Sequence, residues 1–378
     1  MSATVEDKKS LRKKDKQAEI ASQWKLMYWK FIKHKLAIIA LPIVIILVLI
    51  AIFCEFLAPH TRDKRFTDYK EAPPNNIRFV DSTGKFHFIP FVYDLNRETN
   101  PVTFRRTFTI DPDSEKFKMG FFVRGEQYKL WGLIPGDIHF FGPKDPDAPY
   151  FVMGTDQLGR DIYTRTLFGT RVSLGFAGLG VLFTFIIGVT LGGISGYFGG
   201  VVDTIVQRII DLLLCVPHIP LWMALAAALP RTWGPMQVYF GMLMVMSAIS
   251  WTGLARVVRG KILSIREEDF TTAARLSGAS DFRIIFKHML PSFASYMIVH
   301  VTISIPATIL GETALSFLGL GLQPPVVSWG VLLQDAQSIQ ALGLIPWLLM
   351  PCIFVILAVL SFNFMGDGLR DAADPYTR

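Results

Sequence analysis

Hydrophobic positions along the chain gather into long runs at 36–58, 172–197, 205–229, 236–258, 292–320 and 342–365, separated by polar and charged intervals. A helix needs roughly 20 apolar residues to cross the hydrocarbon of a bilayer, so these runs predict about six transmembrane spans. Two of the polar intervals carry their own periodicity. In the first, 59–166, which is rich in Pro and aromatics, 77–80 and 85–88 flank Asp81-Ser82-Thr83-Gly84 as a predicted hairpin, and 104–110 and 117–123 are further strand candidates. The second, 266–291, has a helical period instead. Phe270, Ala273, Ala274 and Ser277 recur at i, i+3, i+4 and i+7, and after Gly278 the spacing returns in Phe282, Ile285, Phe286 and Met289. This predicts two short amphipathic helices about a glycine hinge, the second capped by Ser280 or Asp281, with Pro291 marking the start of the next span.

Composition agrees with a membrane protein: 51% of residues are hydrophobic and 18% charged, with a mean hydropathy of +0.38, a balance that soluble domains rarely reach. Lys8, Lys9, Arg12, Lys13, Lys14, Lys16, Lys25, Lys30, Lys33 and Lys35 crowd the N-terminus, which the positive-inside rule assigns to the cytoplasm. An even number of spans returns the C-terminus to the same side, together with Arg256, Arg259, Lys261, Arg266, Arg275, Arg283 and Lys287. The net charge of +7 is then explained by topology and anionic lipid headgroups, not by nucleic acid. The first run lacks a preceding cleavage site and is long enough to span, so it reads as an uncleaved anchor. Cys54, Cys215 and Cys352 lie in apolar runs without CxxC spacing and read as buried small hydrophobes, with no disulfide framework and no metal site.

Catalytic motifs do not occur. Gly84-Lys85 is followed by Phe86 and Gly260-Lys261 by Ile262, so neither forms a phosphate loop, and HExxH and GxSxG are missing. The chain is not expected to be an enzyme or to hold a cofactor. Ionisable residues inside apolar runs are costly and normally face a cavity or a partner. Glu312 is the clearest: it is either a translocation-path residue or a buried structural carboxylate. Asp203, Arg208 and Asp211 are expected to anchor the third span at its boundary and to pair, and His218, between Pro217 and Pro220, to be a packed kink residue. Gly188, Gly192 and Gly196 form a small stripe that allows close helix approach. Gly319, Gly321, Pro324 and Pro325 break the chain after the fifth run, and Trp329 suits an interfacial re-entrant segment.

Thr272-Ala273-Ala274, Gly278 and Leu290-Pro291 resemble, in order and spacing, the EAA loop of permease subunits of ATP-binding-cassette importers. Thr272 stands where that motif has glutamate and His288 where it has isoleucine. Leu276-Ser277-Gly278-Ala279-Ser280 echoes the ATPase signature, but it lies within this loop and lacks a nucleotide-binding context. Gly154-Thr155-Asp156-Gln157-Leu158-Gly159-Arg160-Asp161, Ser316-Phe317-Leu318-Gly319-Leu320-Gly321, Gln323-Pro324-Pro325, Ser328-Trp329-Gly330, Gly366-Asp367-Gly368-Leu369-Arg370-Asp371 and Asp374-Pro375 are similar to the dipeptide, oligopeptide and nickel branch of those permeases. The likeness covers the last three fifths of the chain and leaves the 59–166 insert uncovered.

The resemblance implies an all-α integral membrane protein of about six transmembrane helices, with a cytoplasmic coupling-helix loop; the patterning adds a small β-rich extracytoplasmic insert between the first two spans. The expected organisation is a basic cytoplasmic N-terminus (1–35), a first helix (36–58), the insert (59–166), a five-helix permease core (167–365) containing the coupling loop 266–291, and a cytoplasmic C-terminus (366–378). Glu267, Glu268, Thr272, Ala273, Ala274, Arg275, Gly278, Leu290 and Pro291 are the expected ATPase-coupling residues, and Glu312 the translocation-path candidate. The partners implied are a second homologous permease, two cytoplasmic ATP-binding subunits and an extracytoplasmic substrate-binding protein, in the lipid of a bacterial inner membrane. Peptide is the expected cargo, within a branch that also carries nickel and oligosaccharide. The insert reads as a lid or contact surface for delivered substrate, or else as a packing element. The alternatives from other classes are a proton-coupled secondary transporter using Glu312, and a membrane-tethered nucleic-acid binder; scattered basic residues argue against the latter.

Overall fold

The computed structural model describes residues 23–99, 101, 106–110, 114–145, 148–230 and 232–373. The basic cluster from Lys8 to Lys16, Phe104 and Arg105 of the third strand candidate, and Asp374-Pro375 lie outside the described residues. Helix α1 (Gln23–Lys33) leads into α2 (Lys35–Ile52), whose first turn is capped by His34: its Nδ1 accepts from the Ala37 N–H at 3.1 Å. A short α3 (Cys54–Leu57) then delivers the chain into the insert.

Strands β1 (Arg78–Val80), β2 (Phe86–Tyr93), β5 (Lys116–Leu130) and β6 (Ile134–Pro143) form an antiparallel sheet in the order β1-β2-β5-β6, while β3 (Asn96–Thr99) pairs with β4 (Arg106–Thr109). The predicted hairpin at 77–88 is present. The Asp81 carboxylate closes its turn by accepting from the N–H groups of Thr83 and Lys85, and the His87 and Thr83 side chains hold it well below the usual carboxylate range. A small core of Val92, Met119 and Tyr150 lies under the sheet. Beside it, Phe66, Ala72, Leu95 and Phe151 pack a strap against the segment that enters the bundle.

The bundle is built on α4 (Ile162–Phe198) and α7 (Pro235–Ile265). At 37 residues α4 outruns any bilayer, rising about 55 Å, so its first turns sit at the base of the insert. The glycine stripe explains how closely the two helices approach. A Cβ at Gly192 would lie 2.5 Å from the Ala255 carbonyl oxygen, and one at Gly196 would lie 2.9 Å from that of Arg259. Around this pair stand α11 (Ala294–Phe317) and α14 (Pro351–Ala373), with α2 against α14. His34 at the start of α2 lies 3.6 Å from Asp371 near the end of α14, whereas Glu55 beyond the end of α2 meets Arg171 near the start of α4. The insert therefore occupies one end of the bundle, and the start of α2, the end of α14 and the end of α4 the other.

The third apolar run departs from expectation. It is two helices, α5 (Gly200–Cys215) and α6 (His218–Ala227), meeting at 90°. Pro217 lacks an N–H and disfavours helical geometry in the residue before it, so the helix ends at Cys215. The described chain thus has five helices long and apolar enough to cross a membrane, or six if the bent pair counts as one. Charges on α5 bind α7 more tightly than one another: Asp203 pairs with Arg259 and Asp211 with Arg256, each at 2.5 Å, against 4.0 Å for Arg208–Asp211. His218 packs edge-on against Trp222. Cys54 is buried as expected, but Cys215 is exposed at the break. Trp329 is also not interfacial. It opens α12 (Trp329–Gln334) fully buried, among Ala177, Ile309 and Phe362, because the chain after Gly319 folds back into the bundle.

Candidate functional site

The interval 266–291 forms a hairpin beyond the end of α7. Helix α8 (Asp269–Leu276) starts after Glu268, whose carbonyl accepts from the Thr271 and Thr272 N–H groups at 3.0 Å. It ends where Gly278 adopts φ +75° and donates to the Arg275 carbonyl, a left-handed exit that favours glycine. Ser280 caps α9 (Asp281–Arg283), its Oγ accepting from the Arg283 N–H at 3.4 Å. Here the pattern and the structure part company. Residues Ile284–Met289 form a π-helical turn, which advances the following side chains relative to an α-helix. Ile284, Ile285, Met289 and Leu290 are buried together against Leu254, Val258 and Ile262 of α7. Phe282 and Phe286, placed by the pattern on one apolar face with Ile285 and Met289, are separated from those two and pack against each other in the open with ring centroids 4.3 Å apart.

The expected coupling residues consequently divide. Ala274 and Leu290 seat the hairpin on the bundle. Glu267, Glu268, Thr272, Ala273, Arg275, Gly278 and Pro291 are exposed, alongside Phe270, Leu276, Phe282 and Phe286. Two residues that sequence reasoning passed over hold the hairpin in place. The Tyr197 hydroxyl donates to Asp281 at 2.7 Å, while the Arg275 guanidinium lies 5.9 Å over the Tyr197 ring. Thr271 is wholly buried and donates from Oγ1 to the Ile265 carbonyl. Neither carries a periodic signal: Tyr197 merely ends an apolar run, and Thr271 interrupts the amphipathic stripe.

Glu312 lies on α11 some 27 Å along the helix from Ala294, far from the hairpin. It is buried among hydroxyls: Ser316 and Ser328 each donate to Oε1 at 2.8 Å, and Ser173 donates to Oε2 at 3.3 Å. The same serines accept from the N–H groups of Leu322, Val331 and Trp329. One carboxylate therefore ties α4 and α11 to the returning segment 318–329.

Further polar nodes join insert to bundle. Asp156, central to the Gly154–Asp161 segment, is buried and accepts from Arg160 and Arg165 at 2.7 Å and from the Leu158 and Arg160 N–H groups. Asp161 caps α4 by accepting from Tyr163 and Thr164 N–H groups. Arg171 reaches both oxygens of Glu55 at 2.5 Å and stacks on Trp131 at 4.2 Å. Beside this last node opens a cavity of about 1100 Å³ walled by Gly175 and Leu179 of α4, Met236 and Tyr239 of α7, Val326 of the returning segment, and Trp131 of the insert.

Long apolar helices packed beside an open cavity, with a surface hairpin at one end, define an integral membrane protein. Residues 188–378 match the family described as binding-protein-dependent transport system inner membrane component, and the chain belongs to that family. Residues 22–74 match the N-terminal TM domain of oligopeptide transport permease C. Among curated relatives, the dipeptide transport system permease protein DppC of Bacillus subtilis is 40% identical over 62% of this chain and 71% of its own length. The oligopeptide transport system permease protein OppC of the same organism is 38% identical over 62% of this chain and 74% of its own length. The DppC of Lactococcus lactis is 32% identical over 92% of this chain and 88% of its own. Since 92% of the chain cannot be matched without the insert, that relative shares most of it.

Proposed function

We propose that this chain is the permease subunit of an ATP-driven importer of peptides, forming half of the translocation path beside a second, related permease. Two cytoplasmic ATP-binding subunits and an extracytoplasmic substrate-binding protein complete the assembly. The hairpin 266–291 is the docking element for one ATPase subunit. The observation that carries this is its division of labour: Ile284, Ile285, Met289 and Leu290 grip the bundle while Phe270, Leu276, Phe282 and Phe286 stay open. An exposed aromatic cluster on a rigidly seated element suits a groove on a partner. Closure of the ATPases on ATP would push the hairpin and, through Tyr197 and the α7 contacts, swing the helices between two states.

The proposed topology puts residues 1–35, the hairpin and 366–378 in the cytoplasm and the insert 59–166 outside, in a bacterial inner membrane. Basic residues at the start of α2 and around the hairpin support it. Peptide cargo is supported by the names of the relatives. Glu312 is proposed as an anchor of the returning segment, since its three hydroxyl donors leave both oxygens engaged.

A pull-down of the tagged chain from its own membranes, followed by mass spectrometry and an ATPase assay, tests the reading. Recovery of a second permease and ATP-binding subunits is expected. Transport by the purified chain alone, surviving ATP depletion but collapsing with the proton gradient, would sink it in favour of proton coupling.

A further inference from the structure

The insert has two hairpin turns of opposite character. Residues 81–84 read Asp-Ser-Thr-Gly, ordinary polar turn chemistry. The β5–β6 turn reads Leu130-Trp131-Gly132-Leu133-Ile134-Pro135, with Leu133 81% and Ile134 63% exposed. Its location relative to the membrane follows from α2. That helix begins beside Lys33 and Lys35 and runs 18 residues, about 27 Å, close to the roughly 30 Å of bilayer hydrocarbon. Ile52 therefore stands at the far boundary of the hydrocarbon. The Trp131 indole N–H donates to the Ile52 carbonyl at 3.1 Å, its ring lies under the Arg171 guanidinium, and its backbone N–H donates to Glu55. Trp, Arg and a carboxylate at this depth are the residues of a membrane–water interface.

The apolar surface is continuous across the junction. Ile45, Leu49, Ile52 and Phe53 of the first span are exposed; next along the chain, Phe56 packs against Phe122 and Phe140 of β5 and β6, which also pack against each other and are exposed in turn. We infer that the β5–β6 turn is a membrane anchor. Leu133 and Ile134 enter the leaflet that borders the end of α2, and Trp131 fixes their depth, so that the insert is tethered both to lipid and to the helices around the cavity. The occupant is the bilayer itself, and the inference rests on reading α2 and α4 as membrane spans.

The test uses the full chain assembled with its partner subunits in liposomes. Cys54, Cys215 and Cys352 are replaced, and single spin labels are placed at Leu133→Cys and Ile134→Cys, with Thr83→Cys in the polar turn as the aqueous reference. The ratio of oxygen to nickel-chelate collisions is expected to be several-fold higher at 133 and 134 than at 83. A label as nickel-accessible as that at 83, or one shielded from both reagents by a protein partner, would overturn the proposal. In the chain with its cysteines intact, brominated lipid should quench less of the tryptophan emission after Trp131→Phe; an unchanged quenchable fraction counts against the anchor. Retention of the protein in alkaline-washed membranes tests the span reading separately.

Discussion

Asp156 is 2% exposed and is bonded to two arginines, one of which, Arg165, is equally buried. Removing one partner of such a pair strands the other charge, a loss of about 3–5 kcal/mol. Asp156→Asn should therefore lower the thermal unfolding temperature of the reconstituted chain and expose the 66–72 strap to protease, whereas the exposed pair Arg62–Asp63 should tolerate the same change. Glu312→Gln retains an acceptor for Ser316 and Ser328, so ATP-driven uptake should stay near wild type, while Glu312→Ala, which takes the acceptor from three buried hydroxyl protons at about 1–3 kcal/mol each, should destabilise the chain. Loss of uptake in a well-folded Gln variant would instead assign the carboxylate to transport. Gly278 has open space around its Cα and φ +75°. The Cβ of a Val there meets nothing within 4 Å but the residue pays backbone strain of about 1–2 kcal/mol; uptake should fall relative to ATP hydrolysis while the chain still inserts, and unchanged uptake would count against the hinge.

At the scale of elements, the α4–α7 contact rests on absent side chains. Gly192→Val would drive a branched Cβ into the Ala255 backbone, 2.5–2.9 Å away, which no rotamer relieves. Overpacking of this kind typically costs about 1–3 kcal/mol, and because α7 carries the hairpin, the variant should also recover less ATPase in the pull-down; Gly178→Val, facing open space, is the control. The stripe itself was legible from its four-residue spacing. The exposure of Phe282 and Phe286 was not, since a π turn is a property of the hydrogen bonding actually made and leaves the residue pattern unaltered. Likewise the run 205–229 is apolar enough to span, and only the kink read between Pro217 and Pro220 hinted that it would bend.

For the molecule as a whole, the join between insert and bundle contains opposed titrations. Burial, with Lys64 next, pushes His60 from an ordinary 6.5 down to about 4. Its folded pKa is depressed, so its stabilisation is complete above about 6.5 and is lost as pH falls toward 4, about 3 kcal/mol in all. Asp161 has the opposite sign. Burial raises it from 3.8 to about 6, and its share is present below 3.8 and lost as pH rises through 6. Wild type should show a shallow net dependence across this window. His60→Phe should remove the acid-side loss and make stability fall with rising pH, as read from thermal unfolding between pH 4 and 6.5; a parallel profile for both proteins would rule out His60 as the source.

Periodicity by itself determined that this is a helical membrane protein with a β hairpin at 77–88 and an amphipathic hairpin at 266–291, because burial in lipid and in a sheet or helix face imposes repeats that survive in one dimension. The resemblance at Thr272-Ala273-Ala274, Gly278 and Leu290-Pro291 pointed to the family in which the comparisons place the chain. Tertiary structure alone decided which charges pair. Asp203 chose Arg259 on another helix over Arg208 nearby, and Asp156 gave the Gly154–Asp161 segment a role as a buried lock where the sequence offered only a charged turn. Trp329 turned inward for the same reason: the partners of a buried polar or aromatic group come from remote segments, and their convergence is set by packing that no local spacing encodes.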